Sequence, residues 1–253
     1  MIDIHTFMLP NFSRGPKDKE TFVHMAKMLV EHGVTHAVAT PTINSEMHPK
    51  AKEAVYDEVA AANQHLQSLS IPLKIIPGQK VSPSTPILRL YTEGLTINDT
   101  NKYLIIDLPE EASMDQFENL IYKMQLKGIV PIISEPEMHS FILNNPQKLY
   151  QFVKKGAIIQ LSAASILGQN GRKAKRAAFQ FIEHGLAHVI GSGVTAQAFK
   201  TYGLHRAYDA LGKHYGSQTI YMLKENAESI VRGEAVYKER PERIKQAKFL
   251  GIF

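Results

Sequence analysis

Short apolar segments alternate with amphipathic segments along most of the chain, and this alternation limits the possible folds more than any other feature of the sequence. The apolar segments are continuous runs, which is typical of parallel strands that are covered on both faces. Strands that are separated by helices favour a parallel sheet. The predicted strands cover residues 2–5, 35–39, 73–76, 103–108, 130–133, 158–161 and 188–190.

Glycine and proline mark the ends of the predicted helices. A glycine follows four of the amphipathic segments, where a helix commonly ends in a left-handed residue: Gly33, Gly128, Gly156 and Gly185. Asn145 and Pro146 form a typical helix start. The predicted helices cover residues 19–31, 50–68, 114–127, 146–154, 173–184, 199–215 and 223–232.

Seven strand–helix units without a glycine-rich linker predict one α/β domain over residues 1–253. We expect a distorted TIM-like (β/α)7 barrel, followed by a basic C-terminal tail over residues 234–253. In such barrels the chemistry lies at the C-terminal ends of the strands. The candidate functional residues are therefore sought at those positions.

Composition excludes several classes of function. The chain is 44% hydrophobic, yet no apolar run approaches the roughly 18 residues of a membrane helix. It has no cysteine, and no basic leader precedes an apolar stretch at Met1, so we expect a cytoplasmic protein. The net charge is +5, from 29 basic and 24 acidic residues, and much of it lies in the tail. Such a small excess does not predict nucleic-acid binding.

Short motifs follow one another in a fixed order along the sequence. They are Met1-Ile2-Asp3-Ile4-His5, Ala39-Thr40-Pro41, Ile76-Pro77-Gly78-Gln79, Asn98-Asp99-Thr100, Glu135-Pro136-Glu137 and the stretch from Tyr221 to Glu228. In this order they resemble the bacterial manganese-dependent tyrosine phosphatases of the polymerase-and-histidinol-phosphatase (PHP) family, which accompany capsule and exopolysaccharide genes. The resemblance implies the PHP fold, a distorted barrel. It also implies a tyrosine kinase, or its phosphotyrosine tail, as the partner.

The resemblance indicates where the family holds its metal ions, and most of those positions carry other side chains here. The positions are His5, Phe7, Thr42, Lys80, Glu135, Gly193 and Thr195. Phenylalanine and glycine side chains offer a metal no lone pair, and an ammonium group repels it. We therefore expect no metal cofactor, although manganese serves the active members of the family.

Three polar side chains at predicted strand ends are the catalytic candidates. His5 ends the first strand, and Glu135 and Glu137 follow the fifth strand two residues apart, where they could act as general acid and base. The candidates for anion binding stand where the resemblance places ligands or phosphate binders: Arg14, Lys80 and Lys200. We expect Lys80 to pair with Glu135, because a lysine that is removed from water needs a charged partner.

Two other features leave alternatives open. A lysine at a strand end, such as Lys80, is also compatible with Schiff-base chemistry. The basic run from Arg172 to Arg176 could bind an anion or form a solvated helix face.

The main functional prediction is a family member that binds a phosphotyrosine tail or the kinase and is catalytically impaired or inactive. We therefore expect a protein that is not an enzyme. The alternative is an active tyrosine-protein phosphatase, or another phosphoester hydrolase, with a site rebuilt around His5, Glu135 and Glu137. A structural partner in polysaccharide assembly is a third hypothesis. The sequence leaves the formation of an oligomer open.

Overall fold

A computed structural model describes residues 1–43, 51–83 and 95–244, apart from the side chains of Ile43 and Ala51. The strands in this part of the chain are β1 (Ile2–Thr6), β2 (His36–Ala39), β3 (Thr42–Ile43), β4 (Lys74–Pro77), β5 (Lys80–Val81), β6 (Tyr103–Ile106), β7 (Val130–Ser134), β8 (Ile158–Ser162) and β9 (Val189–Gly191). Seven of these overlap the predicted strands, and their ends differ from the predicted ones by one or two residues at most. The two-residue strands β3 and β5 were not predicted.

The strands form two sheets in which every described pairing is parallel. The smaller sheet has the order β1-β2-β4, and the larger has the order β3-β5-β6-β7-β8-β9. The chain passes from the smaller to the larger sheet after Ala39 and again after Pro77. Gly78 fits at the second passage because a Cβ atom there would come within 2.9 Å of the Val38 side chain.

The helices over the described ranges are α1 (Lys19–Glu31), α2 (Ala51–Ser68), α3 (Met114–Leu126), α4 (Ser140–Asn144), α5 (Pro146–Lys154), α6 (Ala163–Leu167), α7 (Arg172–Glu183), α8 (Leu204–Tyr215) and α9 (Ser217–Arg232). Short 3-10 turns cover Ile97–Asp99, Glu111–Ser113, Pro136–Met138 and Phe199–Thr201. Within the described part of the chain, no helix combines the length and the apolar character that crossing a membrane requires.

The prediction of a closed seven-unit barrel is not confirmed. The described strands form an α/β fold with two parallel sheets, and no closed sheet is found among them. Between the first strand and the segment after β9 there is one isolated parallel bridge, from Thr6 to Val194. The strands divide into two sheets where residues 40–41 and 78–79 interrupt the pairing, although residues 36–43 pair with residues 74–81 both before and after this interruption.

One predicted helix is divided. The predicted helix over residues 199–215 consists of the turn Phe199–Thr201 and helix α8, which begins after Gly203. A Cβ atom at Gly203 would lie 2.5 Å from the end of the Leu167 side chain, which would have to shift to make room for it. The last predicted helix begins earlier than expected, at Ser217. Lys50, at the start of the predicted second helix, lies outside the described residues.

Apolar side chains pack on both faces of the strands. Alternate residues of neighbouring strands form one buried cluster, which includes Ile4, Val38, Ile105, Ile132 and Ile158. The residues between them pack against the helices in a larger cluster, together with Phe117 and Phe152. Each fully buried side chain of this kind contributes about 1.5–3 kcal/mol.

The described part of the predicted basic tail is tied to the helices. Val236 and Ile244 are buried, the Lys238 amine donates to the Gly156 carbonyl oxygen, and the Gln147 side chain donates to the carbonyl oxygen of Ile244. Residues 245–253, the rest of the predicted tail, lie outside the described part.

Replacing Phe152 by alanine should lower the free energy of unfolding by about 3–5 kcal/mol. Its side chain is fully buried and meets Phe117 edge-on, with ring centroids 5.6 Å apart. Tyr122, which is 60% exposed on α3, is the matched control, and Tyr122→Ala should change stability by no more than about 0.5 kcal/mol. Urea unfolding followed by circular dichroism measures both, and equal losses would contradict this packing.

Candidate active site at the carboxyl ends of the strands

The candidate residues lie at the ends of parallel strands, and these ends meet at one side of the fold. His5 lies near the end of β1, Lys80 begins β5, and Glu135 directly follows β7. Gly193 follows β9, and its backbone N–H donates to the carbonyl oxygen of His5 at 2.8 Å. Ligands in α/β folds bind at this side of the strands.

His5 is held as a neutral imidazole. Its ring is buried, and its Nδ1 atom lies 2.8 Å from the Thr40 hydroxyl oxygen. That hydroxyl oxygen also lies 3.2 Å from the Thr6 carbonyl oxygen; when it donates its one proton there, it accepts from Nδ1–H, and this tautomer leaves the lone pair on Nε2. Burial, followed by the positive charges of Lys80 and Arg14, holds the pKa of His5 well below its usual value of 6.5.

A buried carboxyl group beneath the site fixes the backbone of His5. One Asp3 oxygen accepts from the backbone N–H groups of His5 at 3.3 Å and Ser192 at 3.0 Å. The other oxygen accepts from the Tyr202 hydroxyl at 3.3 Å. Burial raises the pKa of Asp3 to about 6. Asp3 therefore joins the first strand to the loop that follows the last strand.

Two cations flank the ring of Phe7 beside His5. Phe7 is 2% exposed and meets the His5 ring edge-on, with centroids 5.2 Å apart. The guanidinium carbon of Arg14 lies 4.2 Å from the centroid of the Phe7 ring, and the Lys80 amine lies 5.7 Å from it. Phe7 therefore brings the two predicted anion binders together, each as a cation–π contact.

The Lys80 amine forms its ion pair with a carboxylate other than the expected one. It lies 3.1 Å from the Asp107 carboxylate, and the Lys80 side chain is 7% exposed. Asp107 also accepts from the Ser134 hydroxyl at 2.7 Å. The sheet order explains this choice, because β5 and β6 are neighbours, whereas Glu135 follows β7, one strand further away. The predicted pair of Lys80 with Glu135 is therefore replaced by Lys80 with Asp107.

Glu135 and His5 face the same glycine. A Cβ atom at Gly193 would lie 3.5 Å from the Glu135 Oε1 atom and 3.7 Å from the His5 Nε2 atom. Gly193 has a φ of 61°, which favours glycine, and Glu135 has a φ of 50°, which is unusual for a side chain of its size. Strain of this kind is concentrated at functional sites.

Glu137 is buried behind Glu135. Its Oε1 atom accepts from the Ser162 backbone N–H at 2.8 Å, and its Oε2 atom has no hydrogen-bond partner within the described ranges. Burial is the main cause that raises the pKa of Glu137 to about 8, and the nearby charge of Glu135 adds to it. Glu137 therefore holds a proton at neutral pH and links the end of β7 to the end of β8.

The other predicted site residues lie around this centre or away from it. Thr42 pairs with Lys80 in the register of β3 and β5, and Thr195 is buried shortly after Gly193. Lys200 is exposed on the turn Phe199–Thr201, which packs against α1. None of the contacts found among residues 1–43, 51–83 and 95–244 connects Lys200 to the two cations at Phe7.

Three residues of the site were not among the predicted candidates: Asp3, Thr40 and Asp107. Asp107 falls inside the predicted strand 103–108, but β6 ends at Ile106, and so the carboxylate lies at a strand end. Its signal in the sequence is an acidic residue directly after a run of buried apolar residues. Asp3 carries no such signal, because its partners are two backbone N–H groups and a distant tyrosine.

Comparison with known proteins gives consistent matches over the whole chain. The model of the family described as capsular polysaccharide synthesis, CpsB/CapC, matches residues 1–232. The tyrosine-protein phosphatase YwqE of Bacillus subtilis is 32% identical over the full length of both chains. CapC of Staphylococcus aureus is 26% identical, also over the full length of both. A solved structure covers 97% of this chain and 100% of its own, with 31% identity and a TM-score of 0.89. It is described as belonging to YwqE from Bacillus subtilis and CpsB from Streptococcus pneumoniae, "unique metal-dependent tyrosine phosphatases".

These matches correct the expectation that the protein is not an enzyme. The relatives are named tyrosine-protein phosphatases, and the similar structure is that of enzymes. The relatives do not support the expected loss of catalytic activity. They support the alternative prediction, an active phosphatase, better than the main one. The expectation gave too much weight to single replaced ligand positions compared with the agreement over the whole chain.

The side chains at this site do not fit the metal that the family implies. Within the described ranges, no three His, Cys, Asp or Glu side chains are placed to hold a metal ion together. The amine of Lys80 and the guanidinium of Arg14 adjoin Phe7 and His5. Two unit charges of like sign at 4 Å repel by about 4 kcal/mol at an effective dielectric constant of 20, so these cations oppose a divalent ion.

Glu137→Gln should remove one part of the pH dependence of stability. Folding raises the pKa of Glu137 from its usual 4.5 to about 8, so between these values the unfolded chain loses a proton that the folded protein keeps. The free energy of unfolding therefore falls as the pH rises through this window, by up to about 1.4 kcal/mol per pH unit. Glutamine cannot titrate, and its oxygen can still accept from Ser162.

Urea unfolding at a series of pH values between about 5 and 8 measures this effect. The curve for Glu137→Gln should be flatter than that of the unmodified protein. Glu53→Gln, at an exposed position on α2, is the control and should leave the curve unchanged. Equal slopes for Glu137→Gln and the unmodified protein would contradict a protonated Glu137.

Proposed function

Because the chain belongs to the CpsB/CapC family of capsular polysaccharide synthesis, we propose that it is a tyrosine-protein phosphatase. Its substrate is a phosphotyrosine in a partner protein, and the resemblance to capsule-type phosphatases favours the tail of a tyrosine kinase. One observation carries this proposal: a neutral imidazole, with the lone pair of Nε2 available, lies beside two cations.

Arg14 and Lys80 are proposed to bind the phosphoryl group. Arginine offers several N–H donors in a planar fork that matches phosphate oxygens, and lysine offers a compact charge with three donors. Arg14 is exposed and can meet a substrate from solvent, whereas the Lys80 amine is buried and fixed by Asp107. The pair would hold the phosphorus atom in front of His5 and stabilise the charge that develops on the phosphoryl oxygens.

His5 is proposed to activate the attacking water. A bond forms between the water oxygen and phosphorus, the bond from phosphorus to the tyrosyl oxygen breaks, and Nε2 takes the proton of the water. The tyrosyl oxygen leaves with the electron pair of the broken bond and needs a proton of its own. Thr40 fixes the tautomer that this step requires, because it accepts from Nδ1–H.

Glu135 and Glu137 are proposed to supply the proton of the leaving group. Glu137 holds a proton at neutral pH, and the Ser162 backbone N–H occupies one of its oxygens. Glu135 is only partly buried and faces Gly193 together with His5, and no hydrogen bond joins it to Glu137 within the described residues. The proposed path of that proton therefore runs from Glu137 through a water to Glu135 and on to the tyrosyl oxygen. The proton that His5 has taken then returns to the carboxyl pair or to solvent.

Hydrolysis of a phosphotyrosyl peptide by His5→Ala tests this proposal. The kcat should fall by about 100-fold or more, which is typical when a general base is lost. The control is His24→Ala, since His24 is exposed on α1, and its kcat should equal that of the unmodified protein. Released phosphate is measured on freshly purified protein, with both variants purified in parallel.

Two results would contradict the proposal. One is the absence of turnover above the buffer blank in the unmodified protein. The other is equal turnover in His5→Ala and the unmodified protein, because it would place the chemistry elsewhere or in a contaminating phosphatase.

A further inference from the structure

Two positively charged side chains lie around Phe7, and their charge opposes the binding of the metal ion that the relatives use. One positive charge is the Lys80 amine, whose side chain is only 7% exposed. The second positive charge, Arg14, lies against the same aromatic ring. A divalent cation would have to enter beside both.

We infer that the amine of Lys80 and the guanidinium of Arg14 supply the positive charge that a metal supplies elsewhere, so that the site binds phosphate without a divalent ion. The inference deepens the proposed function, on which it rests, by naming how the substrate's phosphoryl group is recognised.

The contacts of Lys80 support a binding role in addition to a structural one. A lysine amine carries three N–H donors, and Asp107 accepts from this amine at 3.1 Å. Asp107 is 37% exposed and is shared with the Ser134 hydroxyl, so the ion pair lies at the edge of the site and can be approached from solvent. Donors that Asp107 does not occupy can therefore meet a phosphate oxygen.

Arg14 complements Lys80 from the outer side. Its backbone φ of 67° is unusual for a residue with a side chain, and its carbonyl oxygen accepts from the Ala196 backbone N–H at 3.1 Å, which ties it to the loop after β9. The guanidinium carbon lies 4.2 Å from the centroid of the Phe7 ring. The buried amine of Lys80 and the exposed guanidinium of Arg14 therefore form an anion site beside the Phe7 ring.

Binding of inorganic phosphate in the presence of EDTA, measured by isothermal titration calorimetry, tests the inference. The unmodified protein should bind phosphate in EDTA, and replacing EDTA with Mn²⁺ should change the dissociation constant by less than about twofold. Arg14→Met should weaken binding by about tenfold or more, as the loss of one charge-assisted contact does. Lys27→Met removes the same charge at an exposed position on α1 and should leave binding unchanged.

Lys80 needs a pair of variants, because Lys80→Met alone leaves Asp107 without its partner. The double variant Lys80→Met with Asp107→Asn removes both charges, and circular dichroism shows whether it is folded. This double variant should bind phosphate about tenfold or more weakly than the unmodified protein, as Arg14→Met does. Because Arg14 is exposed, Arg14→Met gives a result even where the double variant does not fold.

The outcomes separate the inference from the proposed function. Phosphate binding in EDTA that depends on Arg14, without phosphotyrosyl hydrolysis, would support the inference and contradict the proposed phosphatase. Hydrolysis and phosphate binding that both require Mn²⁺ would support the phosphatase and overturn the inference. Phosphate binding in EDTA that Arg14→Met leaves unchanged would also overturn it.

Discussion

The hydrogen bonds between the first strand and the segment after the last strand hold the site together. The Gly193 backbone N–H donates to the carbonyl oxygen of His5, and the Phe7 backbone N–H donates to the carbonyl oxygen of Val194. Asp3 reinforces this connection by accepting from the backbone of His5, the backbone of Ser192 and the hydroxyl of Tyr202. A buried carboxyl group with several donors resists displacement, because each donor would lose its partner in a place that water does not reach.

The sequence predicts a helix accurately where residues that start and stop helices stand at both of its ends. Helices α1 and α5 are predicted to the residue, because each has a cap residue or a proline at its start and a glycine shortly after its end. The short strands β3 and β5 have no periodicity to detect, and the division of the helix at Gly203 depends on contact with Leu167, which is distant in sequence. The closed barrel is not confirmed, and the division of the described strands into two sheets leaves no local pattern in the sequence.

The candidate site is predictable in its positions but not in its contacts. His5, Glu135 and Gly193 lie at or after the carboxyl ends of strands as expected, because parallel strands bring these ends to one side. Lys80 follows the carboxyl end of β4 but is itself the first residue of β5. The partner of Lys80 is decided by which strands are neighbours, and this selects Asp107 instead of Glu135. The inference of inactivity from individual positions was wrong, because agreement along the whole chain with named phosphatases outweighs it.

A crystal structure of the protein with inorganic phosphate, grown in EDTA, tests the central claim most directly. The account predicts phosphate oxygens within hydrogen-bond distance of the Lys80 amine and the Arg14 guanidinium, with the phosphorus atom in front of His5 Nε2. A phosphate bound elsewhere, or an Arg14 that turns away from a phosphate at this place, would contradict it.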